Sequence, residues 1–208
     1  MRKLLLTVFF VAAVPLVAAQ TVDPLAAAFK ASYEAEAKGD YNEAYRVIYN
    51  VIGAQPSSYE GVMRLGYIKG MQNQPRDAVL LYGRAAELEA GAVEPYIYQQ
   101  YQYILLGDWT GLESSAKAAL TRDQQNYTSR SRLGYALYMQ GKFSEAAEQY
   151  VRLGRLYPLD LDVLIMRGWS YAKSGQKALA QRAFRRALTI SPENASAKEG
   201  LEFTDRLR

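Results

Sequence analysis

RGWSYAKSGQKALAQRAFRRALTISP, residues 167–192, holds two apolar-faced segments parted at Gly175 and closed by Pro192. After Gly175, Ala180, Phe184 and Ala187 follow one another at four and three residues, the spacing of one helical face. Proline cannot continue a helix, so the second segment must turn at Pro192. Before Gly175, the small Gly168 suits a place where two helices cross closely. A single helix hairpin of this kind cannot bury its apolar face alone, so the decisive question is whether it recurs.

It does, at a period of 34 residues. GKF at 141–143 matches GDW at 107–109 and GDY at 39–41, while Asn73 and Gly175 fill the other two turn positions. Five residues after each turn stand Ala44, Ala78, Leu112, Ala146 and Ala180; nine after stand Ile48, Tyr82, Ala116, Tyr150 and Phe184; twelve after stand Val51, Ala85, Ala119, Leu153 and Ala187. Pro56, Pro158 and Pro192 close three of the second helices, with Ala90 and Gln124 at the same place in the other two. LGYIKGMQN from Leu65 and LGYALYMQG from Leu133 repeat the segment before the turn, with Gly66 and Gly134 in the place of Gly168.

These residues resemble the tetratricopeptide repeat family, whose repeating helix-turn-helix carries W-x2-L-G-x2-Y, then G-x-Y, then A-x3-F-x2-A and P. The last unit fits best, through Gly168, Tyr171, Gly175, Ala180, Phe184, Ala187 and Pro192. The resemblance implies an all-α fold: a right-handed α-solenoid of five tetratricopeptide helix hairpins plus a C-terminal capping helix. The units fall at 25–58, 59–92, 93–126, 127–160 and 161–194, and the cap at 195–208, where Ala197 and Leu201 share a face. The third unit departs from the pattern, with Gln99 and Gln100 in place of Leu-Gly and Leu112 and Ala116 in place of Ala and an aromatic. That register also assigns YIYQQYQYIL, residues 96–105, which alternates like a strand when read alone, to the first helix of the third unit. Tyr96 and Tyr103 then share one face and Tyr98 and Tyr101 the opposite one.

Residues 1–19 read as a secretory signal peptide: Arg2 and Lys3, an apolar run from Leu4 to Ala19 interrupted by Pro15, and the small-x-small site Val17-Ala18-Ala19. The run is shorter than the roughly 20 residues a spanning helix needs, so no membrane span is expected after cleavage. Residues 20–24 form a short lead, with Asp23 as N-cap and Pro24 in the first turn. The chain is expected to be exported, periplasmic in a double-membraned envelope and secreted otherwise.

The sequence has no cysteine and no histidine, which removes disulfides, Ser-His-Asp and Cys-His catalysis and the common zinc ligand sets. No cofactor, no metal and no catalytic role are expected. The net charge of +4 falls to about +2 without Arg2 and Lys3, too little to drive nucleic-acid binding by counterion release. Glu60, Glu94 and Asp162, thirteen before their turns, border the groove without the pairing a glycosidase needs.

The resemblance places function in a concave groove lined by the first helix of each unit. Six residues before the turns stand Tyr33, Tyr67, Tyr101, Tyr135 and Trp169, an aromatic ladder; ten before stand Phe29, Met63, Ile97, Ser131 and Ile165. Nine before the turns stand Lys30, Arg64, Tyr98, Arg132 and Met166, and Tyr138 lies on the first helix of the fourth unit. Phe29, Tyr33, Met63, Tyr67, Ile97, Tyr98, Tyr101, Tyr135, Tyr138, Ile165 and Trp169 are the expected apolar groove, and Arg64 and Arg132 the expected anchors for a ligand carboxylate. The family's carboxylate clamp relies on groove asparagines that the ladder replaces here. The expected role is a non-catalytic protein–protein interaction scaffold or adaptor in the cell envelope that holds a peptide or helix of a partner. The alternative is a polysaccharide or peptidoglycan module that stacks sugars on the same rings, and self-association through the groove or an exposed end stays open.

Overall fold

The computed structural model describes residues 23–53 and 57–207. The signal-peptide segment 1–19, the start of the lead and Pro56 lie outside the described residues. Among those described there are eleven helices and no strand: α1 (Pro24–Glu36), α2 (Tyr41–Ile52), α3 (Tyr59–Met71), α4 (Pro75–Leu88), α5 (Glu94–Leu106), α6 (Trp109–Arg122), α7 (Tyr127–Met139), α8 (Phe143–Leu156), α9 (Leu161–Lys173), α10 (Lys177–Ile190) and α11 (Ala195–Asp205). The 96–105 stretch is helical throughout.

Local chemistry starts and stops these helices. Asp23, Asp40, Ser58, Asp108, Asn126, Asp160 and Asn194 each accept a backbone N–H from the first turn of the helix that follows. Between the two helices of every unit the chain turns through a left-handed residue, with φ of 76° at Gly39, 57° at Asn73, 65° at Gly107, 77° at Gly141 and 79° at Gly175. A residue with a Cβ is strained there, which is why four of the five are glycine and the fifth is asparagine. α8 and α10 each end two residues before a proline, Pro158 and Pro192.

Each helix packs on the next, and first helices of neighbouring units also meet: α3 on α5, α5 on α7, α7 on α9 and α9 on α11. Second helices have no comparable mutual contacts among the described residues. The stack is therefore tighter on the first-helix side, which makes that side concave. α11 occupies the position of a sixth first helix and caps the last unit.

The core shows how the repeat tolerates its own variation. Ala44, Ala78, Leu112, Ala146 and Ala180 are fully buried, as are Ile48, Ala116 and Phe184, with Tyr82 and Tyr150 nearly so. In units two, four and five a large ring lies over a glycine on the facing helix. A Cβ on Gly66 would come within 2.8 Å of Tyr82, one on Gly134 within 2.8 Å of Tyr150 and one on Gly168 within 2.5 Å of Phe184. In unit three the bulk changes sides: the glycine position holds Gln100 and the ring position holds Ala116, both fully buried. Total volume is kept, as core packing requires. The exchange brings polarity inside: Gln100 Nε2 donates to Ser129 Oγ at 3.0 Å, and Ser115 Oγ to Gln99 Oε1 at 3.2 Å. One expected core position shifts in unit one, where Val51 is half-buried and the next residue, Ile52, packs inside. Units three and four are also tied by Glu113, which accepts from Lys117, Gln140 and Lys142.

Candidate functional site

Helical spacing gathers one pocket on the concave side. On α1, Phe29, Tyr33 and Glu36 fall on one face; on α3, Tyr59, Glu60, Met63, Arg64 and Tyr67 face them; on α5, Glu94 and Tyr98 complete the wall. Together with Ala37 and Tyr82 they enclose about 730 Å³. Tyr98 stacks on Tyr82 with centroids 5.3 Å apart and remains 45% exposed. Phe29 and Tyr33 meet at 6.1 Å.

Among the described residues Arg64 is the one cation lining this pocket, and it is buried. Its guanidinium lies 4.1 Å from the Tyr33 ring centroid and 5.3 Å from that of Tyr67. Nε donates to Ser32 Oγ at 3.0 Å and Nη2 to Glu36 Oε2 at 2.6 Å. The Tyr67 hydroxyl donates to the other Glu36 oxygen at 2.8 Å. Burial works to raise the Glu36 pKa, but the Tyr67 hydroxyl and Arg64 outweigh it and hold the carboxyl below its ordinary value. The same bond to Glu36, with burial, pushes the Tyr67 phenol up.

Arg64 therefore does not wait for a ligand carboxylate, as the sequence suggests; Glu36, one turn from Tyr33, already fills that role. Arg132 donates to the Ile97 carbonyl at 2.8 Å, and burial lowers its pKa. Arg64, paired with Glu36 and bonded to Ser32, is not free to anchor a ligand carboxylate.

The aromatic ladder changes character along the stack. Tyr33, Tyr67 and Tyr101 are exposed, while Tyr135 is half-buried with its ring edge-on to Trp109 at 5.6 Å. Trp169 is half-buried under the cap: it meets Phe184 at 5.4 Å and Phe203 of α11 at 5.7 Å, and its Nε1 donates to Ser196 Oγ at 2.9 Å. Ile165 belongs to the core of the last unit, and Tyr138 packs edge-on to Phe143 at 5.2 Å. Of the thirteen expected groove residues, Phe29, Tyr33, Met63, Arg64, Tyr67 and Tyr98 come together in the pocket. Ile97, Tyr101, Arg132, Tyr135, Tyr138, Ile165 and Trp169 do not line it.

Glu36 and Tyr59 escaped the sequence reading, and Tyr82, read there as a core position, also borders the pocket. Glu36 lies three residues beyond Tyr33 and seven beyond Phe29, a spacing that puts all three on one face of α1. Tyr59, at the start of α3, donates to Glu94 Oε2 at 3.3 Å across the unit boundary.

Tetratricopeptide repeat models match residues 107–160 and 161–194. Solved structures share the fold at low identity. A crystal structure of MamA protein has 19% identity and a TM-score of 0.74, covering 83% of this chain and 94% of that one. YrrB, described as a tetratricopeptide repeat protein with an unusual peptide-binding site, has 14% identity and a TM-score of 0.73, covering 84% and 90%. A tetratricopeptide repeat protein from Parabacteroides merdae has 15% identity and a TM-score of 0.75, covering 87% and 72%. No curated protein matches the sequence.

Proposed function

We propose that this chain, whose residues 107–194 match tetratricopeptide repeat models, is a non-catalytic interaction scaffold of the cell envelope that seats a segment of a partner protein in its concave groove. The observation that carries this reading is the pocket of units one to three. Exposed rings of Tyr33, Tyr67 and Tyr98 surround about 730 Å³ of space open to solvent on the side where first helices converge. Tyrosines supply large contact area at low entropic cost, and apolar surface gathered in one concavity is a binding surface by default. The peptide-binding site named for YrrB supports the same use of the shared fold. The extracytoplasmic location rests on Arg2, Lys3 and the apolar run to Ala19, and cleavage would leave Gln20 as the first residue.

The pocket also redraws which rings matter. Tyr33→Ala, Tyr67→Ala and Tyr98→Ala combined are expected to weaken partner capture at least about a hundredfold, the scale of a hot-spot cluster. Far-UV circular dichroism should keep its helical shape, because Tyr33 and Tyr98 are exposed and Tyr67 lies at the groove edge. Full binding by the triple variant would remove the groove from the account. Pull-down on purified peptidoglycan, set beside envelope protein extract, separates the protein-segment reading from the polysaccharide alternative.

A further inference from the structure

Resting on the groove reading, we infer that the pocket of units one to three selects a positively charged side chain, a lysine or arginine of the bound segment. Two carboxylates at its mouth have no cation of their own. Glu60 and Glu94 occupy equivalent places at the starts of α3 and α5, and no ion pair engages either among the described residues. Among the described residues Glu94 accepts from the Tyr59 hydroxyl at 3.3 Å, and Glu60 from the Ser58 hydroxyl at 3.5 Å.

The other lining charges cancel, since Arg64 is spent on Glu36. No basic residue occurs in α5, and Lys30 of α1 points out beside Glu34. The lining therefore carries three carboxylates and one guanidinium, a net deficit of positive charge in a concave site where fields are focused. The Tyr59 phenol registers that field. Burial pushes its pKa up to about 12, with Glu94, Glu89 and Glu60 all adding to the rise.

One ring of the pocket already holds a cation, the protein's own Arg64. Arg64 lies 4.1 Å from the Tyr33 centroid, the geometry in which a ring quadrupole attracts a guanidinium. Tyr98 offers a second ring, stacked on one side against Tyr82 and partly open. A long basic side chain fits this combination, its methylene stem against Met63 and the rings and its charged end between Glu60 and Glu94. A carboxylate or phosphate would meet two unpaired carboxylates instead, so acidic segments are rejected by the same residues.

Selection of a displayed random dodecapeptide library on the intact protein tests the inference. The expected result is that lysine or arginine is enriched at one position of the selected peptides. Replacing that residue by the neutral isostere norleucine should weaken binding about tenfold, the scale of one partly desolvated charge pair. In Glu60→Gln/Glu94→Gln the lysine-over-norleucine ratio should fall to about twofold or less, with helical circular dichroism as the check on folding. Selected peptides with neutral or acidic residues throughout, bound in the groove, overturn the charge preference and leave the groove reading standing. Peptides that bind the tyrosine triple variant as well as the native protein overturn both.

Discussion

Phe184→Ala is expected to cost about 3–5 kcal/mol and to release the C-terminal end of the solenoid before the rest melts. Phe184 is fully buried, and its ring lies between two glycines, Gly168 on α9 and Gly200 on α11. It also meets Trp169 edge-on at 5.4 Å. The ring thus joins both helices of unit five to the cap, and the two glycines it lies between have no side chain that could fill its space. Gly168→Leu should fail for the opposite reason, since even a Cβ would fall 2.5 Å from the ring. Urea unfolding followed at once by tryptophan fluorescence and far-UV circular dichroism reads the result. With Trp109 replaced by Phe, the remaining Trp169 signal should move to lower urea than the helical signal in Phe184→Ala. Coincident transitions with an unchanged midpoint would refute the packing argument.

Arg64→Ala is expected to destabilise by about 3 kcal/mol and to reshape the groove pocket, although Arg64 sits at a position that reads as surface. The loss follows from what remains behind. Glu36 keeps the Tyr67 hydroxyl but loses its cation, Ser32 loses its donor, and the Tyr33 ring loses the group over its face. Arg64→Lys should recover little, because one ammonium cannot serve Ser32 and Glu36 while lying flat over two rings. Combining Arg64→Met with Glu36→Gln removes both charges and should be milder than Arg64→Ala alone, a coupling that a double-mutant cycle measures. Since the Glu36 pKa is lowered in the folded protein, its contribution is present above the unfolded value and fades as pH falls through the folded one. Arg64→Met should therefore show less loss of stability on acidification than the native protein. Equal acid sensitivity would mean that the pair does not stabilise the fold.

The repeat was legible because its signals are local: a left-handed turn residue every 34 positions, small residues at the helix crossing and proline after the second helix. Even the irregular third unit followed, since Gln100 and Ala116 exchange bulk across the same interface that Gly66 and Tyr82 share. The groove was legible in position but not in composition. Arg64 stands where a side chain faces the groove, yet its guanidinium folds back onto Ser32 and Glu36, residues of the preceding unit. Trp169 continues the ladder in sequence, yet α11 closes over it because the cap replaces a sixth first helix. Both differences arise from contacts between units, and a pattern read within one unit carries no information about which neighbour will cover a residue.

The claim on which the function rests is that a partner segment lies between α1, α3 and α5. A photo-crosslinking amino acid placed at Met63, inside the pocket, or at Leu179, exposed on α10, tests it in the native cell. A discrete adduct from Met63, absent from Leu179 and lost when Tyr33, Tyr67 and Tyr98 become alanine, is the result expected. Adducts from Leu179 with none from Met63 would place the partner on the other side of the solenoid and contradict the account.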